Sequence, residues 1–86
     1  MVQVLTGVKD EKSNLFWGIE VHATTAAAIR NFSMIVQDEK AKMIQKNAKD
    51  YNLYFLGNYD NETGKIIGRE NPEKIASAEE FTKEEK

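Results

Sequence analysis

At 86 residues the chain is the size of one domain, able to bury only about 60–65 % of the surface that its unfolded form exposes. Hydrophobic residues at 41 % and charged residues at 30 % are globular values, and no apolar run approaches the roughly 20 residues that span a bilayer, so a soluble protein with no membrane partner is expected. Twelve basic against fourteen acidic side chains leave a net charge of −2, too little positive charge to coat nucleic acid by charge alone, and the lack of cysteine excludes disulfides, thiolate nucleophiles and thiolate metal sites.

The chain opens on "VQVLTGV", which places Val2, Val4, Thr6 and Val8 on one face of a period-two pattern. "LFWGIEV" does the same for Leu15, Trp17, Ile19 and Val21. Two antiparallel strands are predicted, joined by the polar "KDEKSN", which lacks an Asn-Gly or Asp-Gly turn signal. Met1 runs directly into the first strand with no basic stretch ahead of it, which argues against a secretory signal.

A helix follows. Thr24 or Thr25 can cap it, and Ala28, Ile29, Phe32, Ile35 and Val36 fall in one helical stripe. Continued in that phase, Glu39 would enter the apolar stripe, so the helix is expected to end or bend near Gln37–Asp38. The segment "KAKMIQKNAK" (40–49) carries four lysines and no acid, and it is the one basic patch of the chain. A short second helix there, or an extension shifted in phase, would turn Ala41, Ile44 and Ala48 one way and Lys42, Lys46 and Lys49 another.

"DYNLYFLGNYDNETGKI" (50–66) reads as a strand and a tight turn. Tyr51, Leu53, Phe55 and Tyr59 lie on one face; Tyr54 and Leu56, with Asn52 and Asn58, lie on the other. Asp60–Gly64 turns with Gly64 in a left-handed position, and Lys65–Gly68 returns. Pro72 holds Asn71 extended, which makes the chain beyond it an edge or a tail. Residues 78–86, "AEEFTKEEK", hold four Glu and two Lys, giving one α+β domain over 1–77 and an acidic tail over 78–86. The expected fold class is α+β: a small antiparallel sheet of about four strands with one main helix on one face, in the order strand-strand-helix-strand-strand.

Catalytic chemistry is hard to build from these residues. His22 is the only histidine, and it reads as a strand-end or capping residue; the carboxylates stand singly or in the tail. No enzyme activity, catalytic residue, metal site or cofactor is expected. "YDNETGKIIGRE" (59–70) imitates a calcium loop, but Tyr59 stands where the first ligand must be a carboxylate and the flanks read as strand. Binding is the better prospect. One short helix covers one sheet face, while Leu5, Phe16, Tyr54 and Leu56 point to the other, which calls for a cover. That cover is a second subunit through a homodimer interface of Leu5, Phe16, Tyr54 and Leu56, the C-terminal "KIASAEEF" folded back, or nucleotide bases stacked on the aromatic residues. A single strand of DNA would set Arg30, Lys40, Lys42, Lys46 and Lys49 on phosphates and Trp17 or Tyr54 under a base.

"TAAAIRNF" (25–32) followed by "NAKDYNLYFLGNYDNETGKI" (47–66) resembles the small nonstructural protein of gokushovirus-type microviruses, single-stranded DNA phages of bacteria. The similarity lies in Ala28, Arg30 and Phe32, then Asp50-Tyr51, Leu53, Leu56-Gly57, Tyr59-Asp60 and Thr63-Gly64 at matching spacing. Ala48 departs from it, standing where that family often has proline, and so does "FWGIEV" (16–21). The resemblance implies a DNA-binding phage protein in the host bacterial cytoplasm, acting in genome replication or in packaging of single-stranded DNA. It names no catalytic residue. The alternative is a protein-interaction module that contacts phage replication or capsid proteins and never touches DNA.

Overall fold

The computed structural model describes residues 1–82. Strand β1 (Val2–Asp10) and strand β2 (Leu15–His22) form a hairpin; helix α1 (Thr25–Gln37) and the one-turn helix α2 (Lys42–Lys46) follow. A 3-10 turn (Ala48–Asp50) leads into strand β3 (Tyr51–Asp60), which turns into strand β4 (Ile66–Ser77), and a second 3-10 turn (Ala78–Phe81) closes the described chain. The sheet is antiparallel in the order β2-β1-β3-β4, so the fold is α+β as the periodicities predict. β1 lies between β2 and β3, so the crossover from β2 to β3 must pass over β1. That is why the helical layer sits on one face, above Thr6 and Val8.

Helix α1 starts where the sequence places it. The Thr24 hydroxyl accepts the Ala27 N–H at 3.0 Å, an N-cap that satisfies one of the donors a helix start leaves unpaired. Ala28, Phe32 and Val36 are its buried residues, one per turn, and they meet Val8, Leu53, Ala76 and Ala78 in a single core. The helix ends at Gln37, as the phase argument predicts. Thirteen helical residues rise only about 20 Å, whereas ten residues of extended strand run about 33 Å. The hairpin of β3 and β4 therefore projects beyond the core, and β4 is exposed from Ile66 through Lys74.

Four features differ from the sequence reading. First, β2 does not hold one phase. Trp17 pairs with Val8 on the helix side, but Gly18 adopts φ 62° and the register breaks opposite Gly7, so that Val21 pairs with Leu5 and follows Ile19 onto the other face. A bulge adds one residue to one strand and inverts every later side chain. Second, the Leu56–Gly57 bulge in β3 does the same, and Tyr59 pairs with Gln3 instead of joining Tyr51 and Leu53. Third, β4 is longer than the short return expected over 65–68: it runs to Ser77 as the edge strand that Pro72 predicts, with Pro72 in a break in pairing between Gly68 and Glu73. Fourth, the domain boundary at 77 moves. Ala78 is fully buried, Phe81 packs edge-on to Phe32 with ring centroids 6.1 Å apart, and a Ser77/Glu80 capping box fixes the turn between. The "KIASAEEF" segment thus completes the core on the helix side and leaves the second sheet face uncovered by described residues. Of the acidic tail predicted over 78–86, residues 83–86 lie outside the described residues.

Candidate nucleic-acid interface

The bulge at Gly18 positions the most chemically useful side chain of the edge strand. With Trp17 kept in phase with Val8, its indole lies on the helix side and meets Tyr51 in a T-shaped contact, centroids 6.2 Å apart. Trp17 remains 42 % exposed. Between it and α1 lies a cavity of about 100 Å³ with Thr6, Val8 and Leu53 as its floor and Ala28, Phe32 and Ile35 along the helix.

Three polar side chains from two elements edge the cavity. The Asn31 amide donates to Glu20 Oε1 at 2.9 Å, and His22 Nε2 lies 3.0 Å from the same oxygen. Because Glu20 and His22 follow the bulge, they face α1 in place of Ile19 and Val21. A separate shallow depression, lined by Ile35, Asp38, Lys40, Ala41 and Ile44, shares Ile35 and Ile44 with the cavity. The Gln45 amide donates to the Val36 and Asp38 carbonyls at 2.7 and 2.9 Å, tying α2 to the end of α1 and fixing where the basic segment sits.

Lys40, Lys42, Lys46 and Lys49 are all exposed on this helical layer, as is Arg30 on α1. None of the five makes an ion pair with a described residue. Asp38, four residues before Lys42, instead accepts the Lys40 N–H at 2.7 Å. Of the residues expected at a single strand, Trp17 lines the cavity and Lys40 the neighbouring depression, while Arg30, Lys42, Lys46 and Lys49 line neither.

Tyr54 is separated from that group. It lies on the opposite face, where its hydroxyl donates to Glu11 Oε2 at 2.8 Å and its ring meets Phe16 at 5.4 Å. The Asn52 amide donates to the same carboxylate oxygen at 2.7 Å, and Lys9 Nζ stands 3.5 Å from Glu11 Oε1. A ring so committed lies across the sheet from the lysines, so Tyr54 does not stand beside them as the sequence suggests. Leu5, Phe16, Tyr54 and Leu56 do share this face, with Ile19 and Val21 added to them by the Gly18 bulge. Gly7 makes room for the group: a Cβ there would meet Ile19 Cδ1 at 2.7 Å and Leu56 Cδ1 at 3.0 Å.

The Glu11 cluster also sets an acid dependence. The Asn52 hydrogen bond, helped by the Tyr54 hydroxyl and Lys9 against a smaller opposing effect of burial, holds the Glu11 carboxyl below its ordinary value. Burial first, then Glu11, pushes the Tyr54 phenol up. A carboxylate whose pKa is depressed on folding stabilises the fold above its unfolded pKa, and that contribution is lost as pH falls through the folded value. Glu11→Gln should lower the melting temperature at pH 7, and the gap from the wild type should close below about pH 4.3. A gap unchanged down to pH 3 in thermal melts would contradict this assignment.

A family model described as Phage ORF5 protein matches residues 3–81. The chain belongs to that family. It is a phage protein, and the matched span runs from the second residue of β1 to Phe81, including the final 3-10 turn. No curated protein and no solved structure matches the chain. Among the described residues, no helix is long and apolar enough to cross a membrane, and no three His, Asp or Glu side chains gather where they could hold a metal.

Proposed function

We propose that this phage protein is a non-enzymatic, nonstructural protein of the microvirus type that associates with single-stranded DNA in the host cytoplasm during genome replication or packaging. The observation that carries the reading is the helical side of the molecule, where Trp17 is 42 % exposed and the exposed cations Arg30, Lys40, Lys42, Lys46 and Lys49 make no ion pair with a described residue. An aromatic face for a base beside cations for phosphates is the usual composition of a single-strand site. The body is close to neutral, so affinity is modest and strongly salt-dependent. With about four phosphates neutralised, log K falls against log salt with a slope near −3, since each contact on a single strand releases about 0.7 of a counterion. Replacing Lys42, Lys46 and Lys49 together by Gln should flatten that slope by about two units. Because those side chains are exposed, the melting temperature should hardly change. A slope unaltered by the triple substitution would move the phosphates away from this segment.

Self-association is the second part of the proposal, and the uncovered face supports it. Leu5, Phe16, Ile19, Val21, Tyr54 and Leu56 form an apolar surface that no described residue covers, and an apolar patch of this kind is self-complementary across a two-fold axis. The occupant is a second copy of this chain, sheet against sheet, which leaves both helical layers outward for DNA. Light scattering at micromolar concentration should then give twice the 9.8 kDa chain mass. A mass near one chain would remove the dimer and leave that face to a replication or capsid protein.

A further inference from the structure

We infer that Lys9 and Asn52 join in an intramolecular amide bond between β1 and β3, formed once by the folded chain with Glu11 carrying the protons. The bond lies on the face opposite the helical layer and does not depend on DNA binding. Lys9 and Asn52 are direct cross-strand partners, so their side chains leave the sheet on the same face with Cβ atoms about 4.5–5.5 Å apart. The four-carbon lysine stem spans that gap. Glu11 bridges the two groups: its Oε2 accepts the Asn52 amide N–H at 2.7 Å, and its Oε1 stands 3.5 Å from Lys9 Nζ. One carboxylate thus touches both the nucleophile and the nitrogen that must leave.

Burial supplies the second observation. Asn52 is 3 % exposed, and its Oδ1 is buried without a hydrogen-bond partner among the described residues. An acceptor left unpaired in that way draws the nearest donor, and the ammonium opposite it has N–H groups to spare, which brings Nζ toward the carbon that carries Oδ1. The Phe16 and Tyr54 rings, each with its centroid 5.7 Å from Nζ, hold the ammonium on this face by cation–π attraction. Burial of the amide also keeps water from competing for its carbon. The step then balances without a co-reactant. Glu11 takes a proton from the Lys9 ammonium, the amine attacks Asn52 Cγ, and the Cγ–Nδ2 bond breaks as the new Nζ–Cγ bond is kept. Glu11 passes the two protons shed by Nζ to the leaving nitrogen in turn, which departs as ammonium and leaves Glu11 a carboxylate. A reaction that each chain performs once tolerates a slow rate.

Intact-mass spectrometry of the folded wild-type chain, followed over days at neutral pH, reads the bond directly. The expected result is a mass short of the sequence mass by one ammonia, with a proteolytic fragment in which the peptides holding Lys9 and Asn52 remain joined. Lys9→Arg keeps the charge without the nucleophilic amine and should hold the full mass. Glu11→Gln should hold it too, because an amide cannot carry the protons, and circular dichroism checks that both variants fold. The acid dependence of Glu11 is then read in the Lys9→Arg background, where no bond forms in either chain being compared. A wild-type chain that keeps its full sequence mass overturns the proposal. Loss of ammonia that survives Lys9→Arg overturns it as well, since Asn52 would then be closing on its own backbone. Loss that survives Glu11→Gln overturns the assignment of the proton carrier.

Discussion

Replacing Phe32 by alanine is expected to cost about 3–5 kcal/mol, which in a domain of this size leaves a protein near its unfolding midpoint at room temperature. Phe32 is among the largest fully buried side chains, at 2 % exposure, and belongs to the single core cluster. Its ring meets Phe81 edge-on at an interplanar angle of 86°, so it also holds the final 3-10 turn against α1. Truncation removes both the transfer free energy and the support of that turn. Phe32→Leu, which keeps most of the volume, should lose clearly less. Denaturant titration at fixed protein concentration compares them, and a midpoint unmoved in Phe32→Ala would show that the α1 core is misassigned.

Gly57→Ala is expected to be comparably damaging, for a backbone reason. Gly57 adopts φ 153°, and a Cβ there would overlap the Ile67 carbonyl oxygen and lie 2.8 Å from Gly68 Cα, both of them backbone atoms that cannot swing away. The conformation alone costs an L-residue roughly 1–3 kcal/mol, and relieving the overlap means prising β4 from β3 where Gly57 pairs with Gly68. The loss should reach about 3 kcal/mol or more. Gly68, its partner across the ladder, supplies the control: the nearest atom to a Cβ there is 4.0 Å away, so Gly68→Ala should be close to neutral. Equal melting temperatures for the two variants would remove the close-approach argument.

Those two positions mark the boundary of what the sequence makes legible. The helix could be read because its signals are local and repeated: a Thr24 cap, Ala28, Phe32 and Val36 one turn apart, and an acid at 39 that breaks the stripe. Strand existence was equally plain from alternation. Strand phase was not, because alternation read straight through a glycine assumes an unbroken ladder. Gly18 and Gly57 each sit inside a strand pattern, which is the available sign of a bulge, but only pairing with β1 decides that the phase inverts there. Reading Leu15, Trp17, Ile19 and Val21 as one face therefore puts Ile19 and Val21 on the wrong side.

The candidate site shows the same division. The lysine segment and Trp17 stand out by composition, and their places in the helical layer and on its edge follow from the helix and strand assignments. Glu20, His22 and Asn31 carry no such signal. Each is an ordinary polar residue where it stands, and the three meet because a bulge turns two of them toward a helix that begins three residues later. Residues 78–81 mislead in the opposite way, since their acidic composition hides the short apolar pair, Ala78 and Phe81, that packs.

The central claim is that the helical layer binds single-stranded DNA, and a salt series on the pure wild-type protein tests it most directly. Fluorescence anisotropy with single- and double-stranded oligonucleotides from about 20 to 200 mM salt should show preference for the single strand and a log–log slope near −3. Failure to bind single strands at the lowest salt, where ionic contacts are strongest, would contradict the account and leave a protein partner as the function of this fold.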